Sequence, residues 1–71
     1  MLGGALRQGQ PEEFSLKRVL IVDDHELVRR GVRSVLTARP DFEVCGEAVD
    51  GQDGVEKAKR LKPDVVVMDI I

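Results

Sequence analysis

Two uninterrupted apolar runs frame the chain, Val19-Leu20-Ile21-Val22 and Val65-Val66-Val67-Met68, and each is followed at once by acid: Asp23-Asp24 after the first, Asp69 after the second. Runs without alternation predict strands of the kind found in a parallel sheet, where both faces are covered. Between them, Val28, Val32, Val35 and Leu36 recur at i, i+4, i+7 and i+8, with Arg29, Arg30, Arg33 and Arg39 falling largely elsewhere. This spacing predicts a helix from about His25 to Ala38 with a solvated arginine face, ended by Pro40. Phe42, Val44 and Gly46 then alternate with Glu43, Cys45 and Glu47, a period of two that predicts a second strand with one exposed side, at a sheet edge. Asp50 and Gly51 predict a turn. Val55, Ala58 and Leu61 or Lys62 supply the apolar line of a second helix, with Glu56 placed to support Arg60 one turn on and Lys57, Lys59, Arg60 and Lys62 crowding its C-terminal end. Lys62-Pro63-Asp64 breaks the chain before the last run. The order is β-α-β-α-β, and right-handed crossovers make all three strands parallel with helices on the sheet faces, the N-terminal half of a doubly wound α/β domain.

Residues 1–16 carry three of the seven glycines and one of the three prolines with no sustained periodicity, which predicts a flexible leader, leaving 17–71 as the folded part. At 71 residues there is room for one domain at most, near the size at which a single core gives marginal stability. Leu, Ile, Val and Phe make up 23 of those residues, enough to drive folding. Thirteen acidic against eleven basic residues leave a net charge of -2, without the basic excess that binds nucleic acid through counterion release. No apolar run is long enough for a membrane helix, and the N-terminus lacks the basic-then-apolar order of a signal peptide, so a cytoplasmic location is expected. Cys45, the single cysteine, has no second thiol to pair with and reads as a small core residue. Phe14 and Phe42 are the only aromatic residues and make no stacking platform for bases or sugars.

In an open parallel sheet, ligands bind beyond the carboxyl ends of the strands, and the acids Asp23, Asp24 and Asp69 all stand at that edge. With the first and third strands adjacent, about 4.8 Å apart, the carboxylates converge on a space one ion wide. Three acids so close repel one another and need a cation to stay ionised. An all-oxygen set of this type suits Mg²⁺, which keeps several waters and completes its shell with phosphate oxygens. Taken singly, an aspartate at a strand end is an ordinary cap or turn former. The conjunction of two such strands, in this order, is what points to chemistry. Gly51 and Gly54 do not form a phosphate loop, because no G-x-G-x-x-G or Gly-Lys-Ser/Thr follows a strand.

Taken together, Arg18-Val-Leu-Ile-Val-Asp-Asp-His-Glu-Leu-Val-Arg-Arg-Gly-Val, Pro40-Asp-Phe-Glu-Val-Cys-Gly-Glu-Ala, Asp50-Gly and Leu61-Lys-Pro-Asp-Val-Val-Val-Met-Asp-Ile resemble the receiver domain of bacterial response regulators. The NarL/FixJ-type subfamily, whose members carry a LuxR-type helix-turn-helix output domain, is the nearest likeness, over about Lys17 to Ile71. The resemblance implies a flavodoxin-like sheet, a phosphoryl group accepted on Asp69 from a sensor histidine kinase, and Mg²⁺ held by Asp23, Asp24, Asp69 and the backbone carbonyl of Ile71. It places His25 on the first turn of the helix rather than among the ligands. It also implies a receiver-receiver dimer as a possible assembly, no DNA contact by this part of the protein, and a switch rather than an enzyme. The family has five strands and five helices, so the resemblance further implies a receiver cut after its third strand, lacking the hydroxyl residue of strand four and the lysine of strand five. Such a chain is expected to leave an edge of its third strand unpaired, to be unstable as a monomer, and not to switch alone. Two other classes remain open: a receiver-like interaction fragment without chemistry, and a phosphatase of the haloacid dehalogenase type. The latter wants Asp-x-Asp where this chain has Asp23-Asp24-His25.

Overall fold

The computed structural model describes residues 16–68, so the predicted leader up to residue 15, together with Asp69 and Ile71, lies outside the described residues. The elements run β1 (Lys17–Val22), α1 (Glu26–Thr37), β2 (Phe42–Ala48), α2 (Gly51–Leu61) and β3 (Val65–Met68). The sheet order is β2-β1-β3 and both pairings are parallel. The chain thus steps from β1 to one neighbour and returns across β1 to the other, which makes the carboxyl ends of β1 and β3 a topological switch point. The predicted α/β half-domain is the observed one.

β1 is the middle strand, and Val19, Leu20, Ile21 and Val22 are each 3% exposed or less. Burying a side chain of this size stabilises by about 1.5–3 kcal/mol, so this strand holds the largest concentration of burial among the described residues. Leu20, Val22 and Ala48 form the core cluster, with Cys45, Ala58 and Leu61 packed on it. Cys45, predicted as a core residue, is half-buried and packs against the core from its margin. Side chains alternate across a strand, and Glu47, in register with Ile21, reaches α1 with its carboxylate while Gly46, in register with Leu20, faces Leu61 of α2. The two helices therefore cover opposite faces of the sheet.

Several details differ from the sequence pattern. The alternation predicted for β2 breaks at a register shift: Val19 pairs with Val44 but Leu20 with Gly46, leaving Cys45 as the extra residue. On α2, Val55 is exposed, and the buried line is Gly54, Ala58 and Leu61. A Cβ at Gly54 would stand 3.0 Å from Val22 Cγ2, so the missing side chain is what lets this helix approach β1. On α1, Val28 and Val35 are exposed. Asp50 and Gly51 form no separate turn. Asp50 is the N-cap of α2, its carboxylate accepting from the Asp53 N–H at 2.8 Å, while Asp53 accepts in return from the Val49 N–H at 3.1 Å. The supporting ion pair on α2 is Lys57–Asp53 at 3.2 Å; Glu56 and Arg60 do not form the predicted one.

The end of α2 explains how the chain enters β3. Lys62 adopts the left-handed conformation, φ 53°, and its N–H returns to the Ala58 carbonyl at 2.8 Å. The Arg18 guanidinium donates to the Leu61 and Lys62 carbonyls, and the Arg18 backbone exchanges two 2.8 Å hydrogen bonds with Asp64, one to its carboxylate and one from its N–H. β3 then runs beside β1 from Val19↔Val65 to Val22↔Met68. Its four side chains are 37–45% exposed, and among the described residues it pairs only with β1.

Two stability predictions follow from these contacts. Gly54→Val overpacks Val22 and is expected to cost about 1–3 kcal/mol in a thermal or urea melt, whereas Gly31→Ala, in α1 with open space around its Cα, is expected to raise stability by up to about 1 kcal/mol. The Val49 N–H holds the Asp53 carboxyl below its ordinary value of 3.8, burial partly opposing and Lys57 and Arg60 reinforcing the shift. A lowered folded-state value gives stability that is present above the unfolded value and is lost as pH falls through the folded one. The melting-temperature gap between the parent chain and Asp53→Asn should therefore be widest near neutrality and should shrink below about pH 3.8; a gap that is unchanged in acid would contradict this.

Candidate functional site

β1 hands the chain to its site through Asp23. The Asp23 N–H still donates to the Ala48 carbonyl at 3.0 Å, continuing the β1–β2 ladder one residue past the strand. Its side chain is 4% exposed, whereas those of Asp24 and His25 are 75% and 66% exposed. Asp23 Oδ1 accepts from the His25 N–H at 2.8 Å, a side-chain turn that starts α1. His25 occupies the N-cap position of α1 in extended conformation. Its Nδ1 lies 2.9 Å from Asp23 Oδ1 and 2.7 Å from Asp24 Oδ1.

The Asp23–Asp24 pair of the sequence reading is thus brought together, with both carboxylates converging on His25 Nδ1. Ligand atoms of Asp23, Asp24 and His25 lie within 4.8 Å of one another. One buried and one exposed carboxylate suit a hard divalent cation that retains part of its water, so the acid pair fits Mg²⁺. The predicted neighbours Asp69 and Ile71 follow Met68 and lie outside the described residues.

Three contributors escape the sequence reading, Arg29, Arg33 and Glu47. Arg29 and Arg33, read as part of a solvated face, both turn to β2: Arg29 Nε donates to Glu47 Oε1 at 3.0 Å and Arg33 Nε to Glu47 Oε2 at 2.8 Å. Arg29 Nη1 also donates to the Asp23 carbonyl at 2.7 Å. Arg29 is 15% exposed, while Arg30 and Arg39 are 72% and 58% exposed and do fit the solvated description. The signal available in sequence was the four-residue spacing of Arg29 and Arg33, which puts them on one face of the helix. Their acid partner, 14 and 18 residues away, carried no mark.

A parallel β2-β1-β3 sheet with an acid pair at the switch point defines an α/β module whose ligand edge is acidic, and comparison with known proteins narrows the class. The model of the response regulator receiver domain family matches residues 19–71, and the chain belongs to that family. The transcriptional regulatory protein LiaR of Bacillus subtilis (strain 168) is 56% identical over 54 residues, which cover 76% of this chain and 26% of LiaR. The chain thus spans about a quarter of the length of the curated relatives it matches. Among solved structures, the response regulator domain of Thermotoga maritima CheB superposes with TM-score 0.77 at 46% identity, over 79% of this chain and 42% of that one. A LuxR-family response regulator from Aurantimonas sp. SI85-9A1 gives 0.75 at 38%, over 80% and 41%. A chain in the crystal structure of the complex between the P1 domain of CheA3 and CheY6 from R. sphaeroides gives 0.71 at 34%, over 79% and 44%. The likeness to NarL/LuxR-type receivers is thereby established, and the match is to a signalling module rather than to a dehalogenase-type phosphatase. No helix among the described residues is long and apolar enough to cross a membrane.

Proposed function

We propose that residues 17–71 form the phosphoacceptor-bearing part of a response-regulator receiver, preceded by a leader at 1–16, in which Asp69 takes a phosphoryl group from the phosphohistidine of a sensor histidine kinase. The observation that carries this reading is the parallel pairing of β1 with β3 up to Val22↔Met68, because the next residues in sequence are Asp23 on one strand and Asp69 on the other. In the reaction a carboxylate oxygen of Asp69 attacks phosphorus in line, an acyl phosphate bond forms, and the P–N bond to the kinase imidazole breaks with its electron pair leaving on nitrogen. Asp23 and Asp24 would hold Mg²⁺, with Asp69 and the Ile71 carbonyl as its further protein ligands. When bound, Mg²⁺ neutralises charge on the transferring group. The chain's own contribution is position: Asp23 is fixed by the sheet and Asp24 stays accessible to water and phosphate.

The kinase is the partner this chemistry requires, and the fold likeness to a structure of a CheA3 P1 domain with CheY6 supports that assignment. In the whole protein the output is control of transcription, as the LiaR likeness suggests, with receiver-receiver dimerisation, DNA contact left to a separate output domain, and a cytoplasmic location. Incubation with Mg²⁺ and a small acyl-phosphate donor, followed by intact-mass measurement, tests the reading. A single phosphoryl adduct on the parent chain that is absent from Asp69→Asn is expected. Undiminished labelling of Asp69→Asn would overturn the assignment.

A further inference from the structure

Both backbone groups of Asp23 are held from outside β1. Its N–H donates to Ala48 of β2, and its carbonyl accepts from Arg29 Nη1 of α1 at 2.7 Å. Arg29 in turn has its Nε on Glu47 Oε1, and Glu47 is fixed at its second oxygen by Arg33 Nε. Glu47 sits in β2 in register with Ile21, two residues before Asp23, so the chain of contacts closes a ring through β1, β2 and α1. The peptide between Asp23 and Asp24 is where the chain leaves the sheet, and its orientation decides where the exposed Asp24 carboxylate points. A planar guanidinium with several N–H donors spans the Asp23 carbonyl and Glu47 at once, which an ammonium holds far less well.

We infer that Arg29, oriented by Glu47 and Arg33, is a positioning residue for the divalent-cation site: it locks the Asp23–Asp24 peptide so that the two carboxylates converge. This rests on the reading of Asp23 and Asp24 as the cation ligands. The role has a distinctive sign. A guanidinium beside a cation site repels the cation, so on charge alone its removal tightens cation binding. As a positioning residue its removal loosens binding, because the carboxylates lose their common aim.

The test is Mg²⁺ titration of the full chain, read by amide chemical shifts of Asp23, Asp24 and His25, for the parent, Arg29→Met, Arg29→Lys and Arg30→Met. Arg30→Met makes the same charge change on the exposed side of α1. Arg29→Met is expected to weaken Mg²⁺ binding tenfold or more and Arg30→Met to change it less than twofold. Equal or tighter binding by Arg29→Met would overturn the inference while leaving the cation site standing. Should Arg29→Met fail to fold, Arg29→Lys decides: with the charge kept, binding weakened at least threefold supports a positioning role, and unchanged binding refutes it. If the parent chain itself shows no Mg²⁺-dependent shift at these amides, the site reading fails and the inference falls with it.

Discussion

Everything in this molecule hangs on the burial of β1. A strand flanked on both edges and covered on both faces must be apolar at every position, and Val19 to Val22 meet that requirement with almost no exposure. The same strand supplies the backbone ladder to β2 and to β3, so the two crossovers have one common reference. The place where the apolar run stops is consequently the best-defined point of the fold. Asp23 stands there with its N–H still in the ladder.

That position gives a carboxylate two properties that rarely go together. Asp23 is nearly buried yet adjoins an exposed acid, and the desolvation cost of its carboxylate is offset in part by the hydrogen bond it accepts from the His25 backbone N–H. Arg29 adds a third fixed point at its carbonyl. The site is thus built from a strand terminus, a helix start and an arginine clasp from α1 anchored on Glu47 of the neighbouring strand, each of which has its own reason to be rigid. A receiver needs such rigidity, since phosphoryl transfer asks the protein mainly to position charges that the donor and the cation supply.

The sequence made the element order and the edge that carries the acids legible, because continuous apolar runs ended by aspartate are a strong local pattern. What it concealed depended on neighbours. Val28 and Val35 fit a helical apolar line and yet are exposed, since periodicity identifies apolar residues and not the surfaces that meet them. Gly54 replaced Val55 on the packed line because a residue without a side chain leaves no hydrophobic signature while allowing the closest approach. The bulge at Cys45 arises in pairing with β1 and has no local mark. Asp50 and Asp53 did carry a signal, a cap residue followed by an acid three positions on, but the adjacent Asp50-Gly51 pair reads equally well as a turn. Glu47 was the largest omission, because an acid in an alternating strand looks like a solvent-facing position until two arginines are found to reach it.

The proposed function joins the ends of β1 and β3 in one cation site. Mn²⁺, a paramagnetic stand-in for Mg²⁺, tests it most directly through the broadening of backbone amide signals. Substoichiometric Mn²⁺ is expected to bleach the amides of Asp23, Asp24 and His25 together with those of Met68 and Asp69, while Arg39 and Lys59 remain sharp. Bleaching confined to one strand end, or scattered over the surface carboxylates, would contradict it.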